Sequence, residues 1–150
     1  MNRLPLILII IISTLFINVA SAETQHMTNF ETIDKGTVSH YELSSQATTL
    51  EIYNHDDWSN FWKVHQHINA SSNAPTRPLP EINFVHYYVL AAIDQPRGSG
   101  GYVLEIKAIE IDLKHENKPV NIVVESQQPG NIVSTISVIT RPYHIIKIRK

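Results

Sequence analysis

Histidine, serine and acidic side chains are the groups in this 150-residue chain that could do chemistry. Eight histidines suggest a metal site, but the closest pair, His65 and His67, is two residues apart. Two such residues on a helix point about 200° apart and cannot bind one ion. His65 is expected to be a hydrogen-bonded core histidine, and His67 a solvated one. We therefore predict no metal site and no cofactor.

Ser99 is the serine whose surroundings most resemble those of a nucleophile. A hydrolase would need His144 as its base and Asp94 as the carboxylate that orients the base. The Gly-x-Ser-x-Gly turn that exposes a catalytic serine is missing, although Ser99 lies among glycines. The acidic residues favour no pair for glycoside hydrolysis. Because the chain has no cysteine, a thiol nucleophile is excluded as well. The sequence predicts a protein that is not an enzyme.

The N-terminus has the three parts of a secretory signal peptide, predicted over residues 1–22. A short positive start at Arg3 precedes the apolar residues 4–19, and the small residues 20–22 form a cleavage site. The apolar run is shorter than the roughly 20 residues of a spanning helix. We expect cleavage after Ala22 and export to the periplasm or the medium. With no cysteine for lipid attachment, the product would not be a lipoprotein and would not contact the membrane.

The remaining chain, residues 23–150, suits a single domain. Without Arg3 it has 11 basic and 14 acidic residues, a net charge of −3. These charges form no basic cluster of the kind that nucleic acids require, so no nucleic-acid partner is expected. The polar, aperiodic residues 23–35 predict a flexible arm, and residues 36–150 predict one β-rich domain. The oligomeric state is left open.

One amphipathic helix is predicted around residues 55–68. Asn54 can cap its first turn, where two aspartates favour the positive end of the helix dipole. Trp58, Phe61 and Trp62 fall on one side at helical spacing and are predicted to be structural core residues.

The rest of the domain has the alternation and β-branched content of strands. The apolar run Val85–Ile93 predicts a central strand, since both of its faces must be covered. The apolar phase of residues 102–113 slips where Ala108 meets Ile109, which predicts a β-bulge. The predicted class is α+β: a mostly antiparallel sheet of about five to seven strands, meander or sandwich-like, with one helix.

The glycine loop, residues 97–102, is the stretch most typical of a binding site. Interfaces favour Arg and Tyr, and binding residues favour loops on rigid scaffolds. The alternative is that the glycines serve turn geometry alone. The candidate protein-binding residues are Arg97, Ser99, Gly100, Gly101, Tyr102, Pro129 and Gly130. An alternative contact loop comprises Arg141, Pro142 and Tyr143.

Several of these motifs resemble the PrcB C-terminal domain family, whose name comes from a subunit of a bacterial surface protease complex. The resemblance runs from the Trp58-containing helix through the Phe84 region to the closing strand. Its most specific motif, often Arg-Pro-Thr-Gly-Gly-Tyr in the family, is Arg-Gly-Ser-Gly-Gly-Tyr at residues 97–102. Gly98 thus replaces a stiff proline. The resemblance implies an exported, non-enzymatic accessory or stabilising partner of a protease.

Two alternatives stay open. The glycine loop and residues 141–143 also resemble two of the three loops of chagasin-like inhibitors of cysteine proteases. A simple meander would place these two segments at opposite ends of the sheet and leave Pro129 and Gly130 beside the glycine loop. An inhibitor would therefore need a crossover between strands. The second alternative is a module that binds a small ligand or an envelope polymer.

Overall fold

The described part of the chain forms three layers: one helix, a four-stranded sheet and a three-stranded sheet. The structure is a computed structural model, which describes residues 24–41, 45–66, 77–112, 118–128, 130 and 138–150. The predicted signal peptide, residues 1–22, lies outside the described residues. The predicted α+β class, mostly antiparallel with one helix, is confirmed.

The elements follow one another in the order β1, β2, β3, α1, β4, β5, β6 and β7. Their bounds are β1 Thr24–Met27, β2 Glu31–Gly36, β3 Thr48–Ile52, α1 His55–His65, β4 Tyr87–Ile93, β5 Val103–Asp112, β6 Lys118–Gln127 and β7 Tyr143–Arg149. One sheet has the strand order β2-β7-β4-β3 and the other β1-β5-β6. All of these strand pairs are antiparallel.

Strand β4 lies inside the four-stranded sheet and is covered on both faces, as its continuous apolar sequence predicts. Its residues Val89, Ala91 and Ile93 face α1. The alternate residues Tyr88, Leu90 and Ala92 pack against β5 of the other sheet. The strand therefore belongs to two cores at once, one on each face of its sheet.

Helix α1 docks through its aromatic face. Trp58, Phe61 and Trp62 are all buried. Both indole groups donate hydrogen bonds to the backbone of the connection to β4: Trp58 to the Pro80 carbonyl at 2.9 Å and Trp62 to the Arg77 carbonyl at 3.3 Å. Asn54 caps the helix by accepting the Asp57 N–H. The predicted end at residue 68 lies outside the described residues.

The predicted flexible arm, residues 23–35, is wrong for the residues that the structure describes. Strand β1 pairs with β5, and β2 pairs with β7 over Glu31–Gly36. Both strands lie at sheet edges, where most side chains are exposed to water. Because neither face of such a strand has to be apolar, its sequence lacks the two-residue alternation.

The predicted bulge in β5 is confirmed. The register with β6 shifts between Ile106 and Ala108, which leaves Lys107 as the extra residue. Because of this extra residue, the apolar side chains before and after the bulge lie on the same face of β5, toward the core. Ile106 and Ile109 are both buried, although their separation is an odd number of residues.

Candidate functional site

The glycine loop and residues 140–142 lie side by side at one end of the four-stranded sheet. Arg97 and Thr140 exchange two backbone hydrogen bonds of 2.8 and 2.9 Å. The Thr140 hydroxyl donates to the Ser99 carbonyl at 2.9 Å, and the Asp94 N–H donates to the Pro142 carbonyl at 2.8 Å. The predicted separation of these segments is thus wrong. Strand β7 crosses to the other sheet layer and pairs with β4, so its start meets the end of β4.

Arg97 is held inside the structure by Asp94 and Tyr102. Its guanidinium makes two hydrogen bonds of 2.9 and 3.0 Å to the Asp94 carboxylate, whose side chain is 4% exposed. The same group lies 4.9 Å from the centre of the Tyr102 ring. Ser126 of β6 also donates to Asp94 at 3.3 Å. Arg97 therefore joins the ends of three strands, which gives it a structural role beside any contact with a partner.

Exposed apolar side chains surround the glycine loop. Ile139 is 76% exposed and Val138 is 47% exposed, directly before the Thr140 bridge to Arg97. Val38, bridged to Arg141, is exposed beside them. We call this region, Gly98–Tyr102 with Val138–Thr140 and Val38, the end surface. A large apolar side chain as exposed as Ile139 is typical of an interaction site when its neighbours are also apolar.

Gly98 and Gly101 of the glycine loop and Gly130 after β6 differ in backbone conformation and surroundings. Gly101 has φ 87°, a left-handed conformation that favours glycine. Gly98 and Gly130 are exposed, and a Cβ atom at either would meet open space. Gly130 follows β6, whose last residue pairs with Val103 just after the loop. Pro129 lies outside the described residues.

The alternative contact loop offers little side-chain surface. Pro142 is fully buried, and Tyr143 is 5% exposed within the core beneath α1. Arg141 donates to the Tyr41 carbonyl at 2.7 Å. The glycine loop and residues 140–142 do lie side by side, as a chagasin-like inhibitor needs. However, Pro142 and Tyr143, which would enter a protease cleft, face the interior.

A polar network beneath α1 centres on Asp34. Arg77 donates to both carboxylate oxygens at 2.8 and 2.7 Å, and the Tyr143 hydroxyl donates at 3.0 Å. Burial raises the pKa of Asp34, but hydrogen bonds from His65, Arg77 and Tyr143 outweigh it and hold that pKa well below its usual range. Arg77 also lies over the Trp62 ring. The network ties β2, β7 and the connection after α1 to the helix.

Ser39, His65 and Asp34 form a Ser–His–Asp chain that the sequence did not predict. The Ser39 hydroxyl lies 2.9 Å from His65 Nδ1, and His65 Nε2 lies 3.3 Å from the Asp34 carboxylate. Ser39 is buried and its oxygen also accepts the Tyr41 N–H. This chain therefore serves as a buried link between elements, as expected for His65. No local pattern marks Asp34 as a site residue, because it falls in the segment predicted to be a flexible arm.

His144 is also a buried link. The Ile106 N–H, at the bulge of β5, donates to His144 Nδ1 at 2.9 Å. With Nδ1 accepting, Nε2 carries the proton and donates to the Thr32 hydroxyl at 2.9 Å. Burial, followed by nearby Lys35, lowers the pKa of His144. Both ring nitrogens are occupied, which leaves none to activate Ser99.

In class, the described chain is an antiparallel two-sheet sandwich with one helix packed on an outer face. Residues 88–149 match the model of the family described as PrcB C-terminal. The match confirms the resemblance over a segment somewhat shorter than half of the chain, from β4 to β7. It includes the glycine loop and residues 138–140. Helix α1, where the predicted resemblance begins, precedes the matched segment.

No curated protein and no solved structure matches the chain significantly. Within the described ranges, no helix is both long enough and apolar enough to cross a membrane. Among these same residues, no three His, Cys, Asp or Glu side chains come together as a group that could hold a metal ion.

Proposed function

We propose that this protein is a non-enzymatic protein-binding domain whose end surface contacts its partner. The observation that supports this most is the exposure of Ile139 and Val138 beside the glycine loop. The backbone there is fixed by the bridge between Arg97 and Thr140, so partner binding would require little ordering of the loop. The described parts of the end surface other than Val38 all lie within residues 88–149.

We further propose that the protein is exported through the N-terminal signal peptide and acts as an accessory or stabilising subunit of an exported protease. The pattern of residues 1–22 supports export. The family name supports a protease partner. The structural roles of His65 and His144, whose ring nitrogens hold elements together, support a role without catalysis.

Affinity capture with single-residue variants tests this proposal. The full-length chain, tagged at its C-terminus, is expressed at native level in its source cell, and the bound proteins are identified by mass spectrometry. Ile139→Asp places a charge on the end surface and should reduce partner recovery by about tenfold or more. The matched control is Val85→Asp, because Val85 is 77% exposed and lies two residues before β4, whereas the end surface follows the other end of that strand.

The captured protein then separates the proposed function from its alternatives. A protease that keeps its activity for longer in the presence of this chain supports the stabilising role. A protease whose activity is blocked supports the inhibitor alternative instead. Equal recovery by the two variants, or no protein above background, contradicts the proposal and directs attention to small ligands or envelope polymers.

A further inference from the structure

Within the residues that the structure describes, strand β3 is a sheet edge that carries no bulge, proline or lysine. Natural sheet edges are blocked by short strands, bulges, prolines or lysines. Strand β1 has four residues, β2 has an extra residue between Thr32 and Asp34, and β6 contains Pro119 and a second register shift. Strand β3, in contrast, pairs with β4 over five consecutive residues without a break. Among the described strands, β4 is its one neighbour.

A groove of about 430 Å³ lies beside this edge, between β3 and α1. Its apolar lining comprises Tyr41, Leu50, Ile52, Phe61 and Val64. Val64 is 49% exposed, so the helix presents an aliphatic side chain to water directly beside the strand. An added strand would place every second side chain in this groove.

The charges around the groove are acidic. Asp57 lines it from the first turn of α1. Leu50 and Ile52 pack on the α1 side, so the Glu51 side chain, one position away, leaves β3 on the opposite face, where its carboxylate accepts the Tyr53 hydroxyl. No lysine, arginine or histidine is among the described residues that line the groove. A partner strand would therefore be favoured if it presented aliphatic side chains to α1 and basic side chains to the other face.

We propose that β3 and this groove bind an extended segment of a partner protein by strand addition, the segment alternating aliphatic and basic residues. The main chain of the segment would extend the four-stranded sheet past β3, and its aliphatic side chains would contact Leu50, Phe61 and Val64. This mode of recognition combines main-chain hydrogen bonds for affinity with alternate side-chain contacts for specificity. The surface precedes residues 88–149 and shares no residue with the end surface.

Synthetic peptides provide the first test. The probe is an acetylated and amidated seven-residue peptide that alternates valine and lysine, mixed with the purified protein. Amide hydrogen exchange within Thr48–Ile52 should slow at saturating peptide, since outward-facing amides would gain acceptors. A peptide with glutamate in place of lysine should bind at least about fivefold more weakly. A peptide with proline at its centre should give no protection.

Variants at exposed positions provide the second test. Val64→Lys should weaken binding of the lysine peptide and strengthen binding of the glutamate peptide, because it adds a positive charge that offsets the acidic charge beside the groove. Val85→Lys makes the same change at another exposed valine and should alter neither affinity. Ile139→Asp should leave peptide binding unchanged, so failure of the proposed function and failure of this proposal are distinguishable.

Three results would overturn the proposal. The first is unchanged exchange of the β3 amides in the presence of the lysine peptide. The second is equal binding of the lysine and glutamate peptides. The third is protection of β3 that grows with protein concentration without any peptide, which would assign the edge to a second copy of this chain.

Discussion

Arg97 has a different role in the structure from the one that the sequence predicts. The sequence presents it as a contact residue on a loop, whereas its guanidinium is bonded to the buried carboxylate of Asp94. Spacing along the chain could not reveal this, because Asp94 is equally compatible with a solvated turn. A charge that is buried with its partner is costly to leave alone.

Replacing Arg97 should therefore destabilise the fold. Arg97→Ala is expected to lower the free energy of unfolding by about 2–3 kcal/mol, because the buried Asp94 carboxylate would lose the two hydrogen bonds that the guanidinium donates. Urea denaturation measures the change, with Arg149→Ala, at an exposed position of β7, as the control. If Arg97→Ala unfolds at the same urea concentration as Arg149→Ala, the side chain contributes no stability and is free to serve contact.

His144 should make stability depend on pH. Its pKa is lowered in the folded protein, chiefly by burial, so the unfolded chain takes up a proton more readily than the folded one. The free energy of unfolding should be highest above pH 6.5 and should fall as the pH drops below it, by at most about 1.4 kcal/mol per pH unit. The lowered pKa of Asp34 stabilises the folded protein above about pH 4, and this stabilisation is lost only below that pH. Asp34 therefore does not contribute to the change between pH 7 and pH 5.

Substitution of His144 separates its titration from that of other groups. His144→Asn should be less stable at pH 7, yet its unfolding free energy should change less between pH 7 and pH 5 than that of the unsubstituted protein. His55→Gln, at the exposed start of α1, is the control and should keep the original pH dependence. An unchanged pH dependence in His144→Asn would contradict the assignment. Chemical denaturation at several pH values measures all three proteins.

At the scale of elements, the contact between β2 and β7 depends on a glycine. A Cβ atom at Gly36 would lie 2.8 Å from the Tyr143 hydroxyl oxygen, the group that donates to Asp34. Gly36→Ala should therefore lower the free energy of unfolding by about 1–3 kcal/mol. Gly98→Ala, where a Cβ atom would meet nothing within 4 Å, should change it by no more than about 0.5 kcal/mol. Equal urea midpoints for the two variants would show that β2 does not pack as described.

Element types could be predicted from the sequence, whereas their neighbours could not. The helix, the central strand β4 and the bulge of β5 each have a local cause: an aromatic face, a continuous apolar run and a slip of phase. The pairing of Gly36 with Tyr143 joins positions far apart in the chain and has no local cause. The polar strands β1 and β2 lack the periodicity that marks buried strands, so the sequence predicts a flexible arm in their place.

The same distinction explains which parts of the candidate site could be predicted. The glycine loop has a local signal in Gly100 and Gly101, while the exposure of Ile139 depends on where β7 enters the sheet. The β-branched residues of a strand are expected to be buried on one of its faces. Ile139 is instead exposed, directly before Thr140, which pairs with Arg97. Its part in the candidate site could be found from the structure alone.

At the scale of the whole molecule, the described chain is a two-sheet sandwich with two candidate contact surfaces. The end surface lies where β4 ends and β7 begins, and the β3 edge lies beside α1. Each surface has exposed apolar side chains next to backbone that is fixed by pairing. If both proposals hold, the protein binds two segments of one partner, or one segment of each of two partners.

Amide hydrogen exchange of the protein bound to its captured partner tests the central claim most directly. The account predicts slower exchange at the amides of residues 98–102 and 138–140, compared with the free protein. The amides of residues 84–86, at the opposite end of β4, should exchange equally in both samples. Protection confined to regions other than the end surface would contradict the claim that this surface binds the partner.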